Sequence, residues 1–203
     1  MKVSKNNVSA TRRNALCPCG SGKKYKHCCM KEAKGIIPKQ EEDYFSEAMK
    51  LKAKGKHSQA LKLLDRMIYF KDKFGAFEIE KGYLEKIAIL KECKLWDEAI
   101  KSAEALLQYD IEYKKSQFRE ENTRLLAELF ILSGQGKKGL ALFEKLIGED
   151  STNLYNYLSV ASVLLEKGEK EKAREYLRRG LKSRSTDPEK LHLLLERILA
   201  RIE

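Results

Sequence analysis

Gly55-Lys56-His57-Ser58-Gln59-Ala60-Leu61 and its counterpart Leu95-Trp96-Asp97-Glu98-Ala99-Ile100 decide how this chain folds. Each runs from a break into a helical stretch whose first buried position is a small residue. Small residues recur at Ala60, Ala99, Gly139 and Ala173, in steps of 39, 40 and 34 residues. Four positions after each stands an apolar or small partner: Leu64, Ala103, Phe143 and Leu177. Upstream of the breaks, an aromatic, a small and an apolar residue follow at i, i+4 and i+7. Tyr44-Ala48-Leu51 and Tyr157-Ala161-Leu164 show it cleanly, and Tyr83-Ile87-Leu90 and Thr123-Ala127-Phe130 more loosely. Spacings of four and seven put these side chains on one stripe of a helix. The breaks contain Gly55, Lys94, Gly134 and Gly168. The pattern predicts an all-α fold: helix, short break, helix, four times over residues 41–187.

This pattern resembles the tetratricopeptide repeat, a helix hairpin of about 34 residues. The two quoted segments fit its turn and second-helix start. Gly134-Gln135-Gly136-Lys137-Lys138-Gly139-Leu140 departs, with glycine where alanine and an aromatic are usual. The two longer steps predict extended helices or inserts near Phe70–Glu78 and Asp110–Gln117. Residues 188–203 read as a capping helix, with Asp187 as N-cap and Pro188 at the first helical position. Leu191, Leu194, Leu195, Ile198 and Ile202 are expected on its buried stripe, with Glu196, Arg197, Arg201 and Glu203 facing away.

Stacked hairpins of this family form a solenoid whose first helices line a concave wall suited to an extended peptide or a partner helix. The resemblance implies wall positions at Phe45, Met49, Leu84, Ala88, Arg124, Glu128, Leu158 and Ser162. The mixture lacks the regular Lys/Asn/Arg set with which some members clamp a carboxyl terminus. Filling of space between helices is the competing reading for each of them.

A second signal sits near the amino end: Cys17-Pro18-Cys19-Gly20-Ser21-Gly22-Lys23-Lys24-Tyr25-Lys26-His27-Cys28-Cys29. Two thiol pairs flank eight residues. Four thiolates suit a tetrahedral zinc ion, and a site with four protein ligands is closed to water and substrate. Such a metal organises a fold and does not catalyse. Pro18 stiffens the first pair, and Ser21 is a candidate N-cap for a helix from about Gly22 to Met30. Lys23, Lys24 and Lys26 offset the surplus negative charge of the thiolates or meet a partner. A window this short cannot bury a core, so metal binding at ~10–16 kcal/mol would supply its folding energy. Disulfides and a redox Cys-x-Cys pair are the rivals. Residues 1–16 carry no apolar leader run, and reduced thiols at this spacing usually mean metal. Ligand type alone does not separate zinc from iron, and His27 in place of one cysteine stays open.

The run resembles the SEC-C motif, the small zinc module at the carboxyl end of the preprotein translocase motor, found also on many other bacterial proteins. Carried over by position, the ligands are Cys17, Cys19, Cys28 and Cys29. The resemblance covers residues 12–31 and implies one structural zinc ion and docking to protein partners, among them an export chaperone. The segment Gly20-Ser21-Gly22-Lys23 is no phosphate loop: it lacks the four-residue gap, the hydroxyl residue after lysine and a preceding strand.

Charge divides along the chain. The net charge is +11, and before position 36 nine Lys and Arg face one Glu, so the amino-terminal part carries +8. The remaining +3 is spread over the repeat region. Residues 1–11 are expected to be a basic, flexible tail and residues 32–40 read as a linker, broken by Gly35 and Pro38. No membrane span is expected, and the lack of an apolar leader run leads us to expect a cytoplasmic location, which keeps the thiols reduced. Cys93 reads as a small buried hydrophobe, His57 and Trp96 as packing residues, His192 as lying on the polar side of the last helix. Glu120-Glu121 reads as ordinary helix-start charge. No nucleophile–base set or cofactor loop stands out, so no enzyme and no small-molecule substrate are expected. The favoured function is a cytoplasmic adaptor that grips proteins through the repeat wall and the zinc module, in chaperone or export work. The alternative is a ribosome- or nucleic-acid-associated protein whose basic zinc module lies on phosphates.

Overall fold

Backbone reversal at the breaks builds this protein. The computed structural model describes residues 44–183 and 189–202, together with Lys24 and His27. Among the described residues there are nine α-helices and no β-strand: α1 Tyr44–Ala53, α2 His57–Tyr69, α3 Ala76–Glu92, α4 Trp96–Tyr113, α5 Arg119–Leu132, α6 Gly136–Glu149, α7 Leu154–Glu166, α8 Lys170–Lys182 and α9 Glu189–Ile202. The fold is all-α, as the periodicity predicts. Two compact units contain these helices, one ending at Cys93 and one beginning at Lys94.

All four break residues have left-handed backbone, with φ of 68° at Gly55, 56° at Lys94, 90° at Gly134 and 77° at Gly168. At Gly134 the reason is explicit. Gln135 N–H reaches back to the Phe130 carbonyl at 2.8 Å, and Gly134 N–H to that of Ile131 at 3.1 Å. This pair of bonds satisfies the orphan carbonyls of the helix end and needs positive φ between them. The same pair closes α1 (Lys56 to Leu51, Gly55 to Lys52) and α7 (Glu169 to Leu164, Gly168 to Leu165), all four at 2.9 Å.

In the first unit, α2 packs against both α1 and α3. Tyr44, Ala48 and Leu51 from α1 are buried, as are Ala60, Leu63, Leu64 and Met67 from α2 and Ile79, Tyr83, Ile87 and Leu90 from α3. These include the stripes that the sequence spacing marks. The insert expected near residues 70–78 is a 3-10 turn, Lys71–Lys73, leading to Gly75 at the start of α3. Partly buried ion pairs tie the helices: Lys86 to Asp65 at 2.6 Å joins α3 to α2, and Lys52 to Glu85 at 3.0 Å joins α1 to α3. Burial disfavours the charge on Lys52, but Glu85 and Glu92 outweigh it, so its pKa lies above the ordinary lysine range.

In the second unit each helix packs on the next from α4 to α9, and α5 also packs on α7 and α7 on α9. Contacts between alternate helices are what stacked hairpins give. Its core holds Ala127, Ile131, Phe143, Tyr157, Val160, Ala161, Leu164, Ala173 and Leu177, with Trp96 packed at its edge. The other insert appears as an 18-residue α4 followed by a turn in which Lys115 and Ser116 both have positive φ. Asp110, 1% exposed, holds that turn by accepting from Phe118 N–H at 3.1 Å.

Glu144 of α6 meets α8 three times. It accepts from Tyr176 O–H at 2.6 Å and from both terminal nitrogens of Arg179 at 2.6 and 2.8 Å. The Arg179 bonds hold the Glu144 carboxyl below its usual range. Burial, and then donation to Glu144, push the Tyr176 phenol up.

The capping helix differs from expectation at one position. Leu195 is fully buried, with Ile198, Leu199 and Ile202 against the core, whereas Leu194 is 40% exposed. Residues 195, 198, 199 and 202 share one face at i, i+3, i+4 and i+7, and Leu194 stands one residue, about 100°, off it. Asp187, Pro188 and the side chains of Leu191 and His192 lie outside the described residues.

Candidate functional site

The two groups of predicted site residues fall differently. Cys17, Cys19, Cys28 and Cys29 lie outside the described residues, as do Lys23, Lys26, the tail 1–11 and the linker 32–40. Lys24 and His27 are described, and both are exposed. His27 N–H donates to the Lys24 carbonyl at 2.8 Å, closing one turn immediately before Cys28. The rest of the helix predicted from about Gly22 to Met30 lies outside the described residues. The chemistry of the donor set fits zinc, since four soft thiolates are donors that suit a tetrahedral ion with no need of water. Among the described residues no group of three or more His, Cys, Asp or Glu is arranged to hold a metal ion.

The predicted wall residues stand on α1, α3, α5 and α7. In the first unit Phe45 and Met49 of α1 and Ala88 of α3 are half-buried, and Leu84 of α3 is 40% exposed. In the second unit Arg124, Glu128 and Leu158 are half-buried and Ser162 is exposed. Leu158 packs against the core, so for this residue the space-filling role is realised. Arg124 and Leu158 lie on two helices in direct contact, α5 and α7.

Arg124 belongs to a polar network that spacing alone did not reveal. Its Nη1 donates to Glu120 Oε1 at 2.8 Å and to Asn156 Oδ1 at 3.0 Å. Glu120 Oε1 also accepts from Asn153 Nδ2 at 2.6 Å. Asn153 in turn caps α7, its side chain accepting from Tyr155 N–H at 3.0 Å. Glu120 thus does more than decorate a helix start, since it joins α5 to the cap of α7. Asn156 is fully buried and its Nδ2 has no partner. The partners are 32 and 33 residues apart in sequence. The only signal available was an Asn before a helix, an N-cap preference.

Beside this network a cleft of about 460 Å³ opens between α4, the turn after it, the start of α5 and α6. Leu107, Gln117, Arg119, Leu142, Lys145 and Glu149 line it. Arg119 and Glu149 face each other across it at 3.7 Å. Its walls mix both charge signs with apolar carbon and hold no nucleophile–base pair.

Cys93 departs from its expected role. It is half-buried at the C-terminal end of α3, with its sulfur 3.3 Å from His57 Nδ1.

Comparison with known families places a SEC-C motif at residues 13–31, a span that takes in all four paired cysteines. No curated protein matches the chain. No helix among the described residues is long and apolar enough to cross a membrane.

Proposed function

We propose that this protein is a non-enzymatic adaptor built from a zinc module and a protein-binding helical scaffold. The observation that carries this reading is the SEC-C match over residues 13–31, which spans the paired thiols. In this reading Cys17, Cys19, Cys28 and Cys29 hold one structural zinc ion. Lys23, Lys24 and Lys26 surround it with positive charge and meet an acidic partner surface. The helix sequence from α1 to α8 is read as four tetratricopeptide-like repeats. Within its own unit each first helix offers a surface to an extended peptide or partner helix, with Phe45, Met49 and Leu84 in the first unit and Arg124 and Glu128 in the second. Support comes from the left-handed breaks, the buried small residues and the contact of alternate helices in the second unit. Chaperone or export work in the cytoplasm is the role that the module suggests.

Capture from a bacterial lysate tests the reading, using the whole chain and a Cys28→Ser, Cys29→Ser variant, with and without nuclease. The adaptor reading predicts protein partners that survive nuclease and disappear with the variant. Ribosomal RNA that is lost at moderate salt would instead favour a phosphate-binding role, since phosphate contacts weaken steeply as salt rises.

A further inference from the structure

Three side chains of the first unit meet in a way that neither the zinc module nor the repeat wall explains. His57 is the first residue of α2, and Cys93 ends α3, 36 residues later. The Cys93 sulfur lies 3.3 Å from His57 Nδ1. On the other side of the ring, Nε2 stands 3.8 Å from Glu92 Oε2. The second Glu92 oxygen is 3.3 Å from the Lys52 ammonium, which also bonds Glu85. A carboxylate facing Nε2 favours the tautomer with its proton there, and that leaves the Nδ1 lone pair towards the thiol. Thiol, imidazole acceptor and carboxylate behind it are the order of an activated nucleophile. The cluster is open to solutes: Cys93 is only partly buried, and the His57 side chain is 34% exposed.

We propose that Cys93 is a peroxide-reactive thiol, with His57 as its proton acceptor and Glu92 as the positioning residue for His57. In the reaction His57 Nδ1 takes the thiol proton while the sulfur attacks one oxygen of a hydroperoxide. The O–O bond breaks, and the leaving oxygen takes the proton back from the imidazolium and departs as water or an alcohol. Sulfur gives up two electrons, the peroxide gains them, and Cys93 becomes a sulfenic acid. A small cellular thiol then displaces the hydroxyl as water, leaving a mixed disulfide that a further thiol reverses. The site stands apart from the zinc reading and does not depend on it.

Site-resolved mass spectrometry on the full chain as purified tests this, because the Cys93 peptide separates from those of the other cysteines. Two rates are followed across pH: alkylation by iodoacetamide, and trapping of sulfenic acid by dimedone after hydrogen peroxide. At neutral pH, Cys93 in the native chain is expected to react about tenfold faster than in His57→Gln. Glu92→Gln should fall between them and move the pH profile of Cys93 to higher pH, whereas loss of a neighbouring negative charge alone would move it to lower pH. Should His57→Gln lose its helical signal, Glu92→Gln decides alone, since it keeps the side chain's shape. Equal rates and one pH profile in the native chain and Glu92→Gln, with no dimedone adduct on native Cys93, would overturn the proposal.

Discussion

A side-chain carbon on Gly139 would stand 2.5 Å from the carbonyl oxygen of Ala127. It would also lie 2.6 Å from Ile131 Cγ1, so α5 and α6 touch where only hydrogen fits. Backbone cannot yield as a flexible side chain does. Gly139→Ala should therefore lower stability by about 1–3 kcal/mol, the usual cost of overpacking. Thermal unfolding followed by circular dichroism checks it, and an unchanged midpoint would refute the close crossing.

Lys94 occupies the left-handed region that glycine holds at the other three breaks. A side chain there costs about 1–2 kcal/mol. Lys94→Gly should raise the free energy of unfolding in urea by about 0.5–1 kcal/mol, after the extra freedom of the unfolded glycine is set against the relief. The reverse change, Gly134→Ala, should lower it by a similar amount.

The Glu144 cluster predicts a pH dependence. Its carboxyl sits below the usual 4.5 in the folded chain because Arg179 holds it ionised. A depressed folded value means that stability is present above the unfolded value and is lost as pH falls through the folded one. Glu144→Gln should cost about 0.5–1 kcal/mol near pH 7, a modest figure because the pair is partly exposed. The gap between native and variant melting midpoints should close on acidification below 4.5. A gap that widens there would contradict the assignment.

Arg124 and Asn156 should behave as a coupled pair. Arg124→Met strands the oxygen of a fully buried Asn156 and should cost about 1–3 kcal/mol. Adding Asn156→Leu removes the stranded amide, together with its unpartnered Nδ2. The double variant should recover a large part of the loss, and a double-mutant cycle in urea measures that coupling. Simple additivity would show that the bond between α5 and α7 contributes nothing.

Local spacing carried much of the fold. Ala60, Ala99 and Ala173 are all fully buried, and the breaks fell at the residues expected, even at Lys94, where no glycine marks the turn. Those signals operate within one or two helical turns, where periodicity and helix-end chemistry are visible. Leu194 was placed on the wrong face because seven Leu and Ile residues in one short helix admit two neighbouring stripes. Partners brought together from 32 or 36 residues away left no such trace. The Arg124–Asn156 bond and the Cys93–His57 contact depend on how hairpins stack, and no spacing within one helix encodes that. The candidate metal site is the opposite case. Its whole donor set lies in thirteen consecutive residues, so it was legible in sequence and coincides with the family match.

Elemental analysis of the purified chain reads the adaptor proposal at its root. One zinc ion per chain is expected, falling to trace levels in the Cys28→Ser, Cys29→Ser variant while the helical signal of residues 44–202 is retained. Native protein that carries no stoichiometric metal would contradict it.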